Sequence, residues 1–271
     1  MATVRDRLWI WGHEAGSHTS RGAGADWGIA TPSRITPTEA ACYMGIPNCV
    51  MVVYANRPEP PFDQYTLAMS PLDRIVWSVM GDSGSTRNDQ QSDLAAVLEV
   101  AAKYSNVTGA IMDDFYSGAR ARYTVEQLSA IQQPLHAAGL DLWVVLYYDQ
   151  LDLPVQEHLA LCDVITFWTM PGRELVNLEG NFARLLKTAK GKRRVLGCYM
   201  YNYGEKKPMD VGLMEHQCAL GLQWLKEGKI EGIIFLASCI CDLKLEAVEW
   251  TRDWIARVGA EPAPDLPRKR S

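Results

Sequence analysis

The chain has 271 residues, 48% hydrophobic and 22% charged, proportions that exclude an intrinsically disordered protein. A net charge of −5 argues against nucleic acid or an anionic membrane as the principal partner. No stretch approaches the ~18 consecutive apolar residues of a membrane span.

Seven cysteines, an odd number scattered through apolar segments, fit reduced core thiols in a cytoplasmic protein better than a disulfide framework. The charged opening residues carry no apolar signal-peptide core, which agrees with that expectation.

In chain order, short apolar runs alternate with longer amphipathic ones. The spacing predicts strands over Leu8–Gly12, Cys49–Tyr54, Arg74–Met80, Gly109–Phe115, Leu142–Tyr148, Val164–Trp168, Arg194–Tyr201 and Gly232–Ala237. Several are apolar almost throughout, the pattern of parallel strands buried on both faces. Thr36-Pro37-Thr38-Glu39 is a capping box that opens the first helix, and Thr124 with Gln127 makes another. Leu94, Val97, Leu98, Ala101 and Tyr104 share one helical face, while Gly139 ends the helix begun at Thr124. Further helices are expected near Phe62–Met69, after Pro154, and over Leu175–Lys190, Val211–Glu227 and Leu245–Val258.

Eight strand–helix units in series predict a single α/β domain, a (β/α)8 TIM barrel spanning residues 1–259. Residues 260–271, rich in proline and charge, read as a mobile tail. A doubly wound sheet is the alternative, but no glycine-rich phosphate loop follows an early strand.

Catalytic groups in such barrels sit at the C-terminal strand ends. Those positions hold His13, Tyr54, Asn56, Asp82, Asp113, Asp114, Tyr116, Tyr148, Asp149, Trp168, Tyr201 and Asn202. Asp113 and Asp114 directly follow the apolar Gly109–Met112, a costly placement unless the carboxyls are paired, solvated or protonated. Neighbouring carboxyls push their pKa values apart, as an acid and its helper require. Asp149 offers a second carboxylate across the mouth, as two-carboxylate glycoside hydrolysis needs. Trp11, Trp168, Tyr147 and Tyr201 could wall a sugar ring, and Trp27 lies in a long Gly/Ser-rich loop suited to a lid. His13 with Asp82, Asp114 and Asp149 could hold a metal as in sugar isomerases. No H-x-H or comparable ligand spacing appears, so neither metal nor cofactor is expected.

Gly109–Tyr116, G-A-I-M-D-D-F-Y, resembles the fourth-strand motif of O-GlcNAcase-type glycosidases of the chitinase superfamily. The resemblance implies a barrel glycosidase in which Asp113 orients and polarises a substrate N-acetyl group and Asp114 is the general acid/base. The chitinase pattern D-x-x-D-x-D-x-E is absent, since no Glu stands at the required place. The expected activity is hydrolysis of a glycosidic bond on a small or terminal sugar, with carbohydrate as the partner. A metal-dependent sugar isomerase, epimerase or lyase, or an idle carbohydrate-binding barrel, are the alternatives.

Overall fold

In the computed structural model, which describes residues 1–19, 26–80, 92–117 and 120–265, the eight apolar runs pair edge to edge in parallel and close on themselves. The strands are β1 (Leu8–Gly12), β2 (Asn48–Met51), β3 (Arg74–Met80), β4 (Val107–Met112), β5 (Asp141–Tyr147), β6 (Val164–Trp168), β7 (Arg193–Tyr199) and β8 (Gly232–Leu236). Each neighbours the next in sequence, and β8 returns to β1 with Leu8 opposite Ile233 and Trp11 opposite Leu236. The (β/α)8 barrel expected from the alternation is the fold.

Outside run α1 (Pro37–Met44), α2 (Asp63–Ala68), α3 (Leu94–Lys103), α4 (Val125–Ala137), α5 (Gln156–Leu161), α6 (Leu178–Thr188), α7 (Val211–Lys226) and α8 (Glu246–Val258). Both capping boxes form: Thr36 caps α1 and Thr124 caps α4, each with its reciprocal Glu39 or Gln127 contact. Gly139 sits at φ +75°, a backbone region open to glycine, just past the end of α4. No helix among the described residues is long and apolar enough to cross a membrane.

Three strands end two or three residues before the limits the pattern suggests. β2 ends at Met51 rather than Tyr54, because the chain from Tyr54 to Arg57 folds back in a turn with reciprocal backbone bonds. β4 ends at Met112 rather than Phe115, and Asp114 enters the left-handed region at φ +44°. β7 ends at Tyr199, after which Tyr201–Asn202 pairs with Lys207–Pro208 in a small antiparallel ribbon. Apolar side chains persist past each end since the loops pack inward, and residue pattern alone does not mark where ladder bonding stops.

Tryptophans set against glycines fill the barrel. Trp9 of β1 meets Trp143 of β5 edge-on at 5.1 Å, and Gly109 and Gly232 leave room beside those two indoles. Higher up, Trp11 meets Trp168 at 5.0 Å, and Trp168 lies over Gly197 of β7 so closely that no Cβ would fit. Trp77 faces outward instead and stacks on Phe62 at 4.4 Å.

At the N-terminal end the charges are used internally. Arg193 bridges Asp141 at 2.8 Å and Glu231 at 2.7 Å, tying β7 to β5 and to the start of β8. The first part of the expected tail is held there too. Val4 N–H donates to the Glu261 carbonyl, Ala263 N–H to that of Ala2, and Arg7 to that of Pro264. The rest of that tail, with Arg268, Lys269 and Arg270, lies outside the described residues.

Replacing Gly197 by Ala should drive Trp168 out of its position and destabilise the protein by about 1–3 kcal/mol, the usual range for overpacking a filled core. Urea unfolding checks this; an unchanged midpoint would mean that the Trp168 contact does not constrain the barrel.

Candidate active site

The C-terminal strand ends enclose a cleft of about 480 Å³, counted to its open mouth. Trp11, Trp168, Val145 and Leu236 form its floor, while Tyr54, Trp27, Met170 and Tyr203 form much of its wall. Its polar groups fall on two sides: Asp113, Asp114, Tyr147 and Tyr199 on one, His13 and His18 on the other.

On the first side the Asp pair is placed by its backbone. Asp113 is 8% exposed and its Oδ1 accepts the Asp114 amide N–H at 2.9 Å. This one-residue bond accompanies the left-handed backbone at Asp114, a conformation that Asp tolerates better than most residues because its carboxylate can bond locally. The Asp114 carbonyl accepts from Arg122 Nε at 2.9 Å, so Arg122 braces this turn from behind.

Tyr147 donates its hydroxyl to Asp114 Oδ1 at 3.0 Å. Tyr199 borders the cleft beside that phenol. Burial holds the Tyr147 hydroxyl well above its ordinary pKa, with Tyr199, Asp114 and Asp113 adding to the effect. Burial acts the same way on Tyr199. Both phenols therefore stay protonated through neutral pH.

The second side is built at the seam between β1 and β8. His13 N–H donates to Ser238 Oγ at 3.0 Å, which fixes the end of β1 against the turn after β8. The His13 ring lies 4.3 Å from that of His18, and both pack edge-on against Tyr54. His18 Nδ1 lies 2.7 Å from the Tyr203 hydroxyl. Burial drives His18 down to about 3, and burial with the neighbouring His18 drives His13 well below its ordinary value. Both rings are therefore neutral at physiological pH. Trp27 closes the cleft rim by donating from its indole to Tyr54 Oη at 2.9 Å, and Tyr201 Oη holds the Trp27 carbonyl at 2.9 Å.

Of the residues expected at the rim, the structure brings Asp113, Asp114, His13, Tyr54 and Trp168 together on the cleft. Asp149 is exposed in a short 3-10 turn after β5 and does not line it, and Tyr148 in the same turn is also outside. Asn56 sits in the left-handed turn after β2. Tyr116 turns away to pack on Phe115 and His158, and its hydroxyl has no partner among the described residues. Tyr201 lies behind Trp27 as a support. Asn202, 1% exposed, joins two loops by accepting from Gly172 N–H at 3.1 Å and donating to Glu205 at 2.6 Å. Asp82 lies outside the described residues.

His18, Tyr199 and Tyr203 belong to the cleft but stood outside the expected set. Tyr199 carried a signal, since it is the last residue of an apolar strand. His18 and Tyr203 lie on loops, whose course no periodicity records.

No protein-family model matches the chain, and no curated protein does. Solved structures do. The fold is similar to Ostrinia furnacalis Group IV chitinase, with a TM-score of 0.60 and 12% identity over 94% of this chain and 100% of that one. It is similar to the chitinase of Chromobacterium violaceum ATCC 12472, with 0.56 and 10% over 90% and 98%. It is also similar to the xylanase-alpha-amylase inhibitor protein XAIP-I solved with trehalose, with 0.57 and 11% over 90% and 97%. At this identity the likeness concerns the fold alone, and the Pyrococcus furiosus tryptophan synthase α-subunit shares it at a TM-score of 0.52. The chain is thus a TIM barrel of the architecture found in glycoside hydrolases, among other enzymes.

Tyr203→Phe should leave His18 Nδ1 buried without its partner and cost about 1–3 kcal/mol. Denaturant titration of the variant gives the value, and full stability would show the contact to be dispensable.

Proposed function

We propose that this barrel is a glycoside hydrolase-like enzyme acting on a terminal, N-acetylated sugar, with Asp114 as general acid/base and Asp113 as its helper. The observation that carries the reading is the Asp113–Asp114 turn at the cleft rim, with the Tyr147 hydroxyl bonded to Asp114. A phenol so placed serves both halves of an acid/base cycle. With Asp114 ionised, Tyr147 donates to it. With Asp114 protonated, the phenol can turn and accept, leaving the acid proton free for a glycosidic oxygen.

The aromatic floor of Trp11 and Trp168 supports a flat apolar sugar face, and the narrow cleft favours one ring over a long chain. Two-carboxylate hydrolysis needs carboxyls on opposite sides of the bond, about 5 Å apart for retention and wider for inversion. Asp149 is not on the cleft, and Asp113 and Asp114 are chain neighbours. This favours the substrate's own N-acetyl oxygen as nucleophile. In that reading it attacks the anomeric carbon as Asp114 gives its proton to the leaving oxygen. Asp113 holds the N-acetyl group, and water then opens the cyclic intermediate with Asp114 taking the proton back.

The one-sided placement of the carboxyls also supports a second reading, a barrel that binds carbohydrate without turnover. Aryl glycosides with and without a 2-acetamido group separate the two. Asp114→Asn should lower kcat by about 10²–10⁴-fold on the acetamido substrate with ligand binding kept. Tyr147→Phe should lower it about ten- to a hundredfold, the cost of one hydrogen bond to a charged group. Full turnover by Asp114→Asn would remove Asp114 from the mechanism. Sugar binding without turnover in the wild type would establish the second reading.

A further inference from the structure

The histidine side of the cleft carries a feature that sugar hydrolysis leaves unused. One nitrogen each of His13 and His18 and the Sγ of Cys239 all lie within 4.8 Å of one another. All three residues are buried, at 3%, 7% and 0% exposure. Their convergence follows from the barrel's closure. His13 and His18 follow β1, Cys239 lies in the 3-10 turn Ser238–Ile240 after β8, and these strands are neighbours across the seam.

We propose that His13, His18 and Cys239 are three ligands of a borderline-soft divalent cation, Zn²⁺ by its chemistry, whose fourth coordination position opens into the cleft.

Several observations converge on this. The donor set of two imidazoles and one thiolate is one that Zn²⁺ accepts and that hard, oxygen-seeking cations do not. Among the described residues, buried His13 Nδ1 has no hydrogen-bond partner, which an ion in reach would supply. His18 already has the supporting contact typical of a metal-bound imidazole. Its Nδ1 is engaged by the Tyr203 hydroxyl, which orients the ring and leaves Nε2 for an ion.

Tetrahedral ligands about 2.0–2.3 Å from an ion stand about 3.3–3.8 Å apart, so no pair needs to move inward by more than about 1.5 Å. Binding transfers the Cys239 thiol proton to solvent while both imidazoles bind neutral, so one proton leaves for each ion bound. Because His13 and His18 line the cleft and Cys239 does not, the open position faces the space that holds Asp113 and Asp114.

The test uses the full chain, stripped with chelator and dialysed against Zn²⁺ alone. One ion per chain should be retained, with a rise in Tm that scales with free Zn²⁺, as expected for a ligand that binds only the folded state. Co²⁺ in place of Zn²⁺ should give a thiolate charge-transfer band in the otherwise unaltered protein, a readout that needs no variant. Cys239→Ser and His18→Ala should each lose the ion, whereas Cys42→Ser, which changes an exposed thiol, should keep it. Asp114→Asn should keep it as well, which separates this site from the hydrolytic assignment. Lack of a thiolate band with Co²⁺, or equal retention of Zn²⁺ by wild type and Cys239→Ser, would overturn the proposal.

Discussion

The closure of β8 onto β1 is the constraint from which the rest of the molecule follows. Two segments separated by about 225 positions in sequence meet in four parallel register pairs, from Leu8 with Ile233 to Trp11 with Leu236. Bringing ends that far apart together costs on the order of 5 kcal/mol in loop entropy, so the seam has to be held by more than ladder bonds. Trp9 and Trp11 project from β1 into the barrel and meet Trp143 and Trp168 from the far side. The interior is thereby filled by contacts that exist only when the seam is shut. Above those indoles the same closure joins His13 to Ser238, and this bond sets one side of the cleft.

The two polar sides differ in how they are held. Asp113 and Asp114 are fixed by local backbone geometry, a carboxylate bonding the next amide in a left-handed turn. His13 and His18 are fixed by tertiary packing, against Tyr54, Tyr203 and the turn after β8. A substitution in the first side therefore alters a rigid turn with few remote effects. One in the second side disturbs barrel closure itself, so its functional readout has to be taken together with a stability measurement.

This contrast explains how far the sequence reached. Strands buried on both faces leave long apolar runs, and helices leave caps and stripes, so eight units were legible from Leu8 to Val258. The ends of β2, β4 and β7 were not, because loop residues such as Val52, Phe115 and Tyr201 are as buried as strand residues. The same fact governs the site. Groups on or immediately beyond a strand, such as Trp168, Asp113, Asp114 and His13, reach the cleft. Groups one turn further, such as Asn56, Tyr116, Asp149 and Asn202, go where their loops take them. Asn202 serves as a strut between two loops, and Tyr116 packs with His158 on the outer side of its strand. His18 arrives from the opposite direction, five residues past His13 and yet in contact with it, which only tertiary packing determines.

Stability alone does not account for what the rim contains. A buried imidazole with a nitrogen that has no partner among the described residues, as at His13, weakens the fold relative to an apolar side chain of similar size. Two histidine rings 4.3 Å apart and a carboxyl pair at a left-handed turn border the same cleft, with a buried thiol near the histidines. The opposite end of the barrel has the other solution to the same problem, with Asp141 and Glu231 both neutralised by Arg193. The polar groups at the C-terminal rim border the cleft. That asymmetry, more than the presence of any single residue, is the physical ground for placing chemistry there.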